Sequence, residues 1–185
     1  MQENLISGVA RRNALRAMDK ARIAKTWQQY YEDRGYDLWG FSPSPTARIL
    51  ARAILDSDPR RSERIEIVDW GCGYGRDSLY FLELGFDVIG IDVSEKAVAL
   101  ARGAYKQRQA SGIPLLGSAS FHAGDLHSVF KCRTGQRVHA FFSNRVLHLL
   151  SEIDFRKATR DAMICMEKAL TSVSLREART TSTPR

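Results

Sequence analysis

The stretch Ile65-Glu66-Ile67-Val68-Asp69-Trp70-Gly71-Cys72-Gly73-Tyr74-Gly75 sets the architecture of this chain. The apolar run at its start reads as a buried strand. Three glycines at alternate positions then read as a tight turn into a helix, because glycine accepts positive φ and lets a ligand approach the backbone closely. The first turn of that helix offers N–H groups with no partner inside the helix. One β-α-β step further on, Phe86-Asp87-Val88-Ile89-Gly90-Ile91 reads as a second strand ending at Asp92. A carboxylate at that strand end can accept hydrogen bonds from both hydroxyls of a ribose. Together the two strands predict a nucleoside-bearing ligand across the ends of a parallel pair.

The spacing of the glycines narrows the nucleoside. A dinucleotide-binding turn has the pattern G-x-G-x-x-G. Here Arg76 stands at the third glycine position, and the glycine comes one residue early, at Gly75. That spacing disfavours a nicotinamide cofactor. The stretch instead resembles motif I of class I S-adenosylmethionine-dependent methyltransferases, D-x-G-x-G-x-G, with Asp69, Gly71, Gly73 and Gly75 in matching positions. The run from Val68 to Val98 is similar to the small-molecule branch of that family, and the resemblance continues from Asp125 to Leu150. It implies an α/β fold: a Rossmann-like parallel sheet with helices on both faces. It also implies S-adenosyl-L-methionine as cofactor and a small-molecule methyl acceptor at oxygen or nitrogen.

The resemblance carries roles residue by residue. It places Asp69 at the glycine turn or the methionyl amine, and lets Gly71, Gly73 and Gly75 pass the cofactor. It sets Asp92 on the ribose and Asp125 by the adenine amine, where a turn former fits the bare residue equally well. Asn144, Arg145 and His148 follow the fourth strand, beside the transferring methyl in this fold. Asn144 is a cofactor contact in this reading. His148 is the candidate general base, because imidazole is the side chain suited to proton transfer near neutral pH; a capped or half-buried helix histidine is the competing reading. The aromatic residues Trp27, Tyr30, Tyr31, Tyr36, Trp39 and Phe41 resemble the lid that covers the cofactor, and ordinary packing explains them as well.

Composition bounds the remaining classes. At 185 residues and 44% hydrophobic, the chain has the size and apolar content of one domain. No apolar run approaches the ~20 residues of a membrane span, and Met1 to Gly40 shows no signal-peptide pattern. Cys72, Cys132 and Cys165 have neither metal nor disulfide spacing. A cytoplasmic setting without metal or membrane is expected. The net charge of +7 is uneven: residues 131–185 carry 11 Lys/Arg against 5 Asp/Glu, residues 65–130 carry 5 against 8. The basic residues are not interleaved with aromatics as a single-strand groove requires, so the reading disfavours nucleic acid.

Along the chain, residues 1–45 read as a helical lid segment, 46–170 as the cofactor-binding core and 171–185 as a polar tail. Strands are expected at about 65–70, 86–92, 119–122 and 138–143. Ser94 and Ser151 are expected to cap helices, the second presenting Phe155, Ala158, Ala162, Cys165 and Ala169 on one face. Relatives continue with a Pro-Gly-Gly turn and three more strands, for which residues 171–185 leave no room. The expectation is therefore a sheet incomplete at its C-terminal side, a truncated enzyme, and self-association through the exposed edge of strand four. The competing functions are a non-catalytic shortened homologue and an RNA methyltransferase.

Overall fold

A computed structural model describes residues 20–36, 40–57, 64–125, 138–164 and 166. The elements run α1 (20–34), α2 (Pro45–Ser57), β1 (Glu66–Trp70), α3 (Arg76–Glu83), β2 (Asp87–Asp92), α4 (Glu95–Ala110), β3 (Ala119–Ala123), β4 (Ala140–Phe142) and α5 (152–164). The four strands are all parallel in the order β3-β2-β1-β4. This is the expected doubly covered α/β sheet. Ile67 and Val88 pack with Ala47 and Ala51 of α2 and Leu79 and Leu82 of α3. Val68, Ile89 and Ile91 point the other way, to Ala158 of α5. Alternation along buried parallel strands thus feeds two apolar layers.

The turn chemistry matches the residues that were singled out for it. Ser94 caps α4 by accepting from Ala97 N at 3.1 Å. Ser151 accepts from Asp154 N at 3.2 Å ahead of α5. Pro45 opens α2, behind Ser44, whose hydroxyl accepts from Ala47 N at 3.1 Å.

Three expectations change. Helix α1 runs through Tyr30 and Tyr31 to residue 34, past Gln29, where the helix-prone stretch from Asn4 is expected to end, because Tyr31 gains ring partners in Trp27 and Tyr74. Strand β4 is shorter than the expected 138–143 and pairs with β1 at only three positions. At its start the His139 ring Nδ1 accepts from Glu66 N at 3.0 Å while His139 N donates to Glu66 O at 2.9 Å, so a side chain takes one ladder position. Of the described members of the expected apolar face on α5, Ala158 is buried, Ala162 is half-buried and Phe155 is 39% exposed. Cys165, Ala169, Cys132, Trp39 and the polar tail lie outside the described residues.

Candidate functional site

The glycine turn is tied down from both sides. Gly71 N and Cys72 N both donate to Ile91 O, at 2.7 and 3.0 Å, which locks the turn onto the end of β2. Gly75 N returns to Cys72 O at 3.0 Å, and Gly75 O accepts the first helical bond from Leu79 N. All three glycines of the turn have positive φ. At Gly73 (φ 56°) a Cβ would stand 2.5 Å from the Tyr31 hydroxyl, and at Gly71 it would run into Val146 Cγ2. The alternate glycines therefore serve both conformation and close approach.

Asp92 closes the turn. Its Oδ2 accepts from Gly73 N and its Oδ1 from Ser94 N, both at 2.9 Å. An ionised carboxylate has about four acceptor positions, more than its backbone N–H donors occupy, so capacity is left for a hydroxyl arriving from the cleft. Asp92 is 8% exposed. Burial raises its pKa, against the lowering by the Ser94, Gly73 and Val93 backbone N–H groups. Asp69 is deeper and accepts from the Ser78 hydroxyl at 2.6 Å, pinning β1 to α3. Burial pushes its pKa up to about 7. Burial also lifts the Cys72 thiol well above its ordinary range, which keeps it an unreactive wall residue. The Tyr31 phenol is raised by burial and by Asp92, so it stays protonated.

These groups face one cleft of about 580 Å³, within the ~300–1,000 Å³ range of small-ligand sites. Its floor is the glycine turn with Asp69 and Asp92. One wall is α1, through Lys20, Trp27 and Tyr31, and another is α5, through Lys157 and Ala158. Helix α1 is held there by Lys20 Nζ to Asp154 Oδ1 at 3.0 Å. At its other end Gln28 Oε1 accepts from Ser94 Oγ and Lys96 N, both at 3.0 Å. Asp125 is exposed at the rim, after β3. Asn144 also lines the cleft, its amide 3.4 Å from Asp77 Oδ2. The structure therefore gathers Asp69, Gly71, Gly73, Asp92, Asp125 and Asn144 around one space; Gly75 supports it from behind, against Ala101 and Phe121. His148 sits apart, exposed in a 3-10 turn (Leu147–Leu149) and not on the cleft wall.

Two residues that the sequence did not single out organise this space. Asp77 is 6% exposed and accepts from Ser44 N at 2.7 Å and from Arg76 Nε and Nη2 at 3.2 Å. An acidic residue in the first turn of α3 was its visible signal. Gln28 gave none, because its partners lie 66 and 68 residues away.

Residues 67–169, more than half of the chain, match the methyltransferase domain family. The chain belongs to this family. Solved structures of the same fold include magnesium protoporphyrin IX methyltransferase from Synechocystis PCC 6803 with bound S-adenosylhomocysteine (SAH). It is 18% identical at a TM-score of 0.58, covering 77% of this chain and 66% of that one. Phosphoethanolamine N-methyltransferase 1 of Haemonchus contortus, in complex with phosphoethanolamine and S-adenosylhomocysteine, is 19% identical at a TM-score of 0.54, covering 80% and 30%. A curated relative, the 23S rRNA (uracil(1939)-C(5))-methyltransferase RlmD of Acidovorax sp. (strain JS42), is 34% identical over 74 residues. That match spans 40% of this chain and 15% of the relative. Among the described residues no helix is long and apolar enough to cross a membrane, and no cluster suits a metal ion.

Proposed function

We propose that this chain binds S-adenosyl-L-methionine at the turn after β1 and transfers its methyl group to oxygen or nitrogen of a small-molecule acceptor. The observation that carries the reading is Asp92: a buried carboxylate at the end of β2, held by two backbone N–H groups, with acceptor capacity left toward the cleft. The cofactor, when bound, supplies a methyl on a sulfonium leaving group, so the protein's part is position more than proton chemistry. Asp92 holds the ribose, Gly71 and Gly73 clear the path beside it, and Asp125 and Asn144 border the adenine and methyl ends. Asp69 steadies the turn through Ser78. Tyr31 and Trp27 exclude water from above. His148 remains the residue to test for proton removal, and its exposed position makes positioning the larger part of catalysis. The outer edge of β4 is the surface we assign to self-association; a monomer by light scattering would remove that assignment.

Calorimetric titration with S-adenosylhomocysteine decides the cofactor: saturable binding is expected, and its absence overturns the reading. Binding without methyl transfer to any small acceptor would leave the non-catalytic homologue. An RNA acceptor is the second reading, supported by the ribosomal-RNA relative and the +7 charge. It requires RNA binding that weakens steeply with salt.

A further inference from the structure

Gln28 stands in the middle of a chain of hydrogen bonds that crosses from α1 to the glycine turn. Its Nε2 donates to Glu32 Oε1 at 2.7 Å, one turn along α1. Its Oε1 accepts from Ser94 Oγ and Lys96 N, both at 3.0 Å. The Glu32 carboxylate only accepts and Lys96 N only donates, so the amide has one orientation, carbonyl toward α4 and amino group toward Glu32. Ser94 is fully buried. A hydroxyl has a single proton; here Gln28 receives it, while the same oxygen accepts from Ala97 N at 3.1 Å. Ser94 N in turn donates to Asp92 Oδ1, and Asp92 Oδ2 accepts from Gly73 N, both at 2.9 Å. Glu32, Gln28, Ser94, Asp92 and Gly73 thus form one connected path. A polar network whose members all have partners holds its groups in a single arrangement.

We infer that Gln28 is a positioning residue for the cofactor: through Ser94 it fixes the orientation in which the Asp92 carboxylate meets the ribose hydroxyls. The inference rests on the cofactor reading above and adds to it a residue of α1 that acts without touching the ribose. Asp92 takes its direction from the N–H groups of Gly73 and Ser94. The Ser94 end of that clamp is held from α1, by the Gln28 oxygen. Removing this oxygen takes the acceptor from the Ser94 hydroxyl and from Lys96 N, and loosens the Ser94 end while the Gly73 end stays. Simple docking of α1 has a different signature. A cover that loosens weakens every ligand beneath it, with or without ribose hydroxyls.

The test compares two ligands of the full chain by calorimetry: S-adenosylhomocysteine and its dideoxyribose analogue, which lacks both ribose hydroxyls. The parent is expected to bind the analogue about tenfold more weakly or worse. Gln28→Met keeps the length of the side chain and removes the acceptor. It should weaken S-adenosylhomocysteine by about fivefold or more and leave the analogue within about twofold. The paired exchange Gln28→Glu with Glu32→Gln reverses the two side chains and keeps an oxygen for Ser94 and Lys96, at a helix end that favours a carboxylate. It should restore S-adenosylhomocysteine binding to within about twofold of the parent. Lys20→Gln cuts the other tie of α1, to Asp154, and lies off this path, so it should shift both ligands alike. Equal losses of both ligands in Gln28→Met, or no loss of either, overturn the inference and leave the cofactor reading standing. Failure of the paired exchange to restore binding overturns it as well. A parent that binds the two ligands equally, or binds neither, overturns the ribose assignment of Asp92 and the inference with it.

Discussion

The two flanks of β1 are built differently. On the β2 side, β1 pairs over five positions, the turn is bonded to Ile91 and Asp92, and buried Cys72, Val98, Ala101 and Phe121 fill the space under α4. On the β4 side pairing covers three positions, and Leu147, Ile153, Phe155, Met163 and Ile164 are all exposed. The first flank is a self-contained unit whose binding surface is made of backbone and short side chains. The second presents side chains, Asn144 and Arg145 among them, whose setting depends on contacts from far along the chain. In the proposed reading, cofactor recognition is the local property of this fold.

That contrast is broken most directly at Gly73. Gly73→Val forces a β-branched residue into left-handed backbone and against the Tyr31 hydroxyl. Affinity for S-adenosylhomocysteine should fall by more than about a hundredfold, roughly 2.8 kcal/mol, in a calorimetric titration. If the variant binds as the parent does, the cofactor does not lie on the turn.

Asp92→Ala should come next. It strips the acceptor from Gly73 N and Ser94 N at a buried position. Leaving such groups without partners costs about 1–3 kcal/mol each, to be read as a lowered urea midpoint, with S-adenosylhomocysteine binding weakened at least tenfold. Unchanged stability would mean that the two halves of the turn are held together by something else.

Asp69 sharpens the same flank through pH. Its pKa is about 7 in the folded chain, against about 3.9 unfolded. Between these values the unfolded chain has released the proton and the folded chain has not, so stability falls as pH rises from about 4 to about 7 and stays lower above. Asp69→Asn keeps an acceptor for Ser78 and removes the titration. The variant should gain on the parent from pH 5 to pH 8 in chemical denaturation, and parallel curves would show that Asp69 stays ionised throughout.

The smallest effect belongs to the other flank. His148→Ala changes an exposed side chain and should move stability by less than about 0.5 kcal/mol and leave S-adenosylhomocysteine affinity alone. A loss of methyl transfer with both of these unchanged would identify it as the base.

What the sequence made legible follows the same division. The strands around the glycine turn, the Ser94 cap and the residues from Asp69 to Asp92 were readable because strand, turn and helix signals there span a few residues each. The long α1, the short β4 and the exposure of Phe155 were not, because tertiary packing decides them. Asp77 and Gln28 were hidden for a related reason: each works through partners across the fold, Ser44 lying 33 residues from Asp77.

The Gln28 contact has a use of its own. Lys96 N lies in the first turn of α4, where helix geometry gives it no partner, and the Ser94 hydroxyl is already taken by Ala97. Its acceptor is the Gln28 amide on α1. That single amide proton is therefore sheltered only while α1 is docked over the cleft. Its exchange with deuterated solvent therefore reports how often α1 lifts from the start of α4, through an atom on a helix that α1 covers.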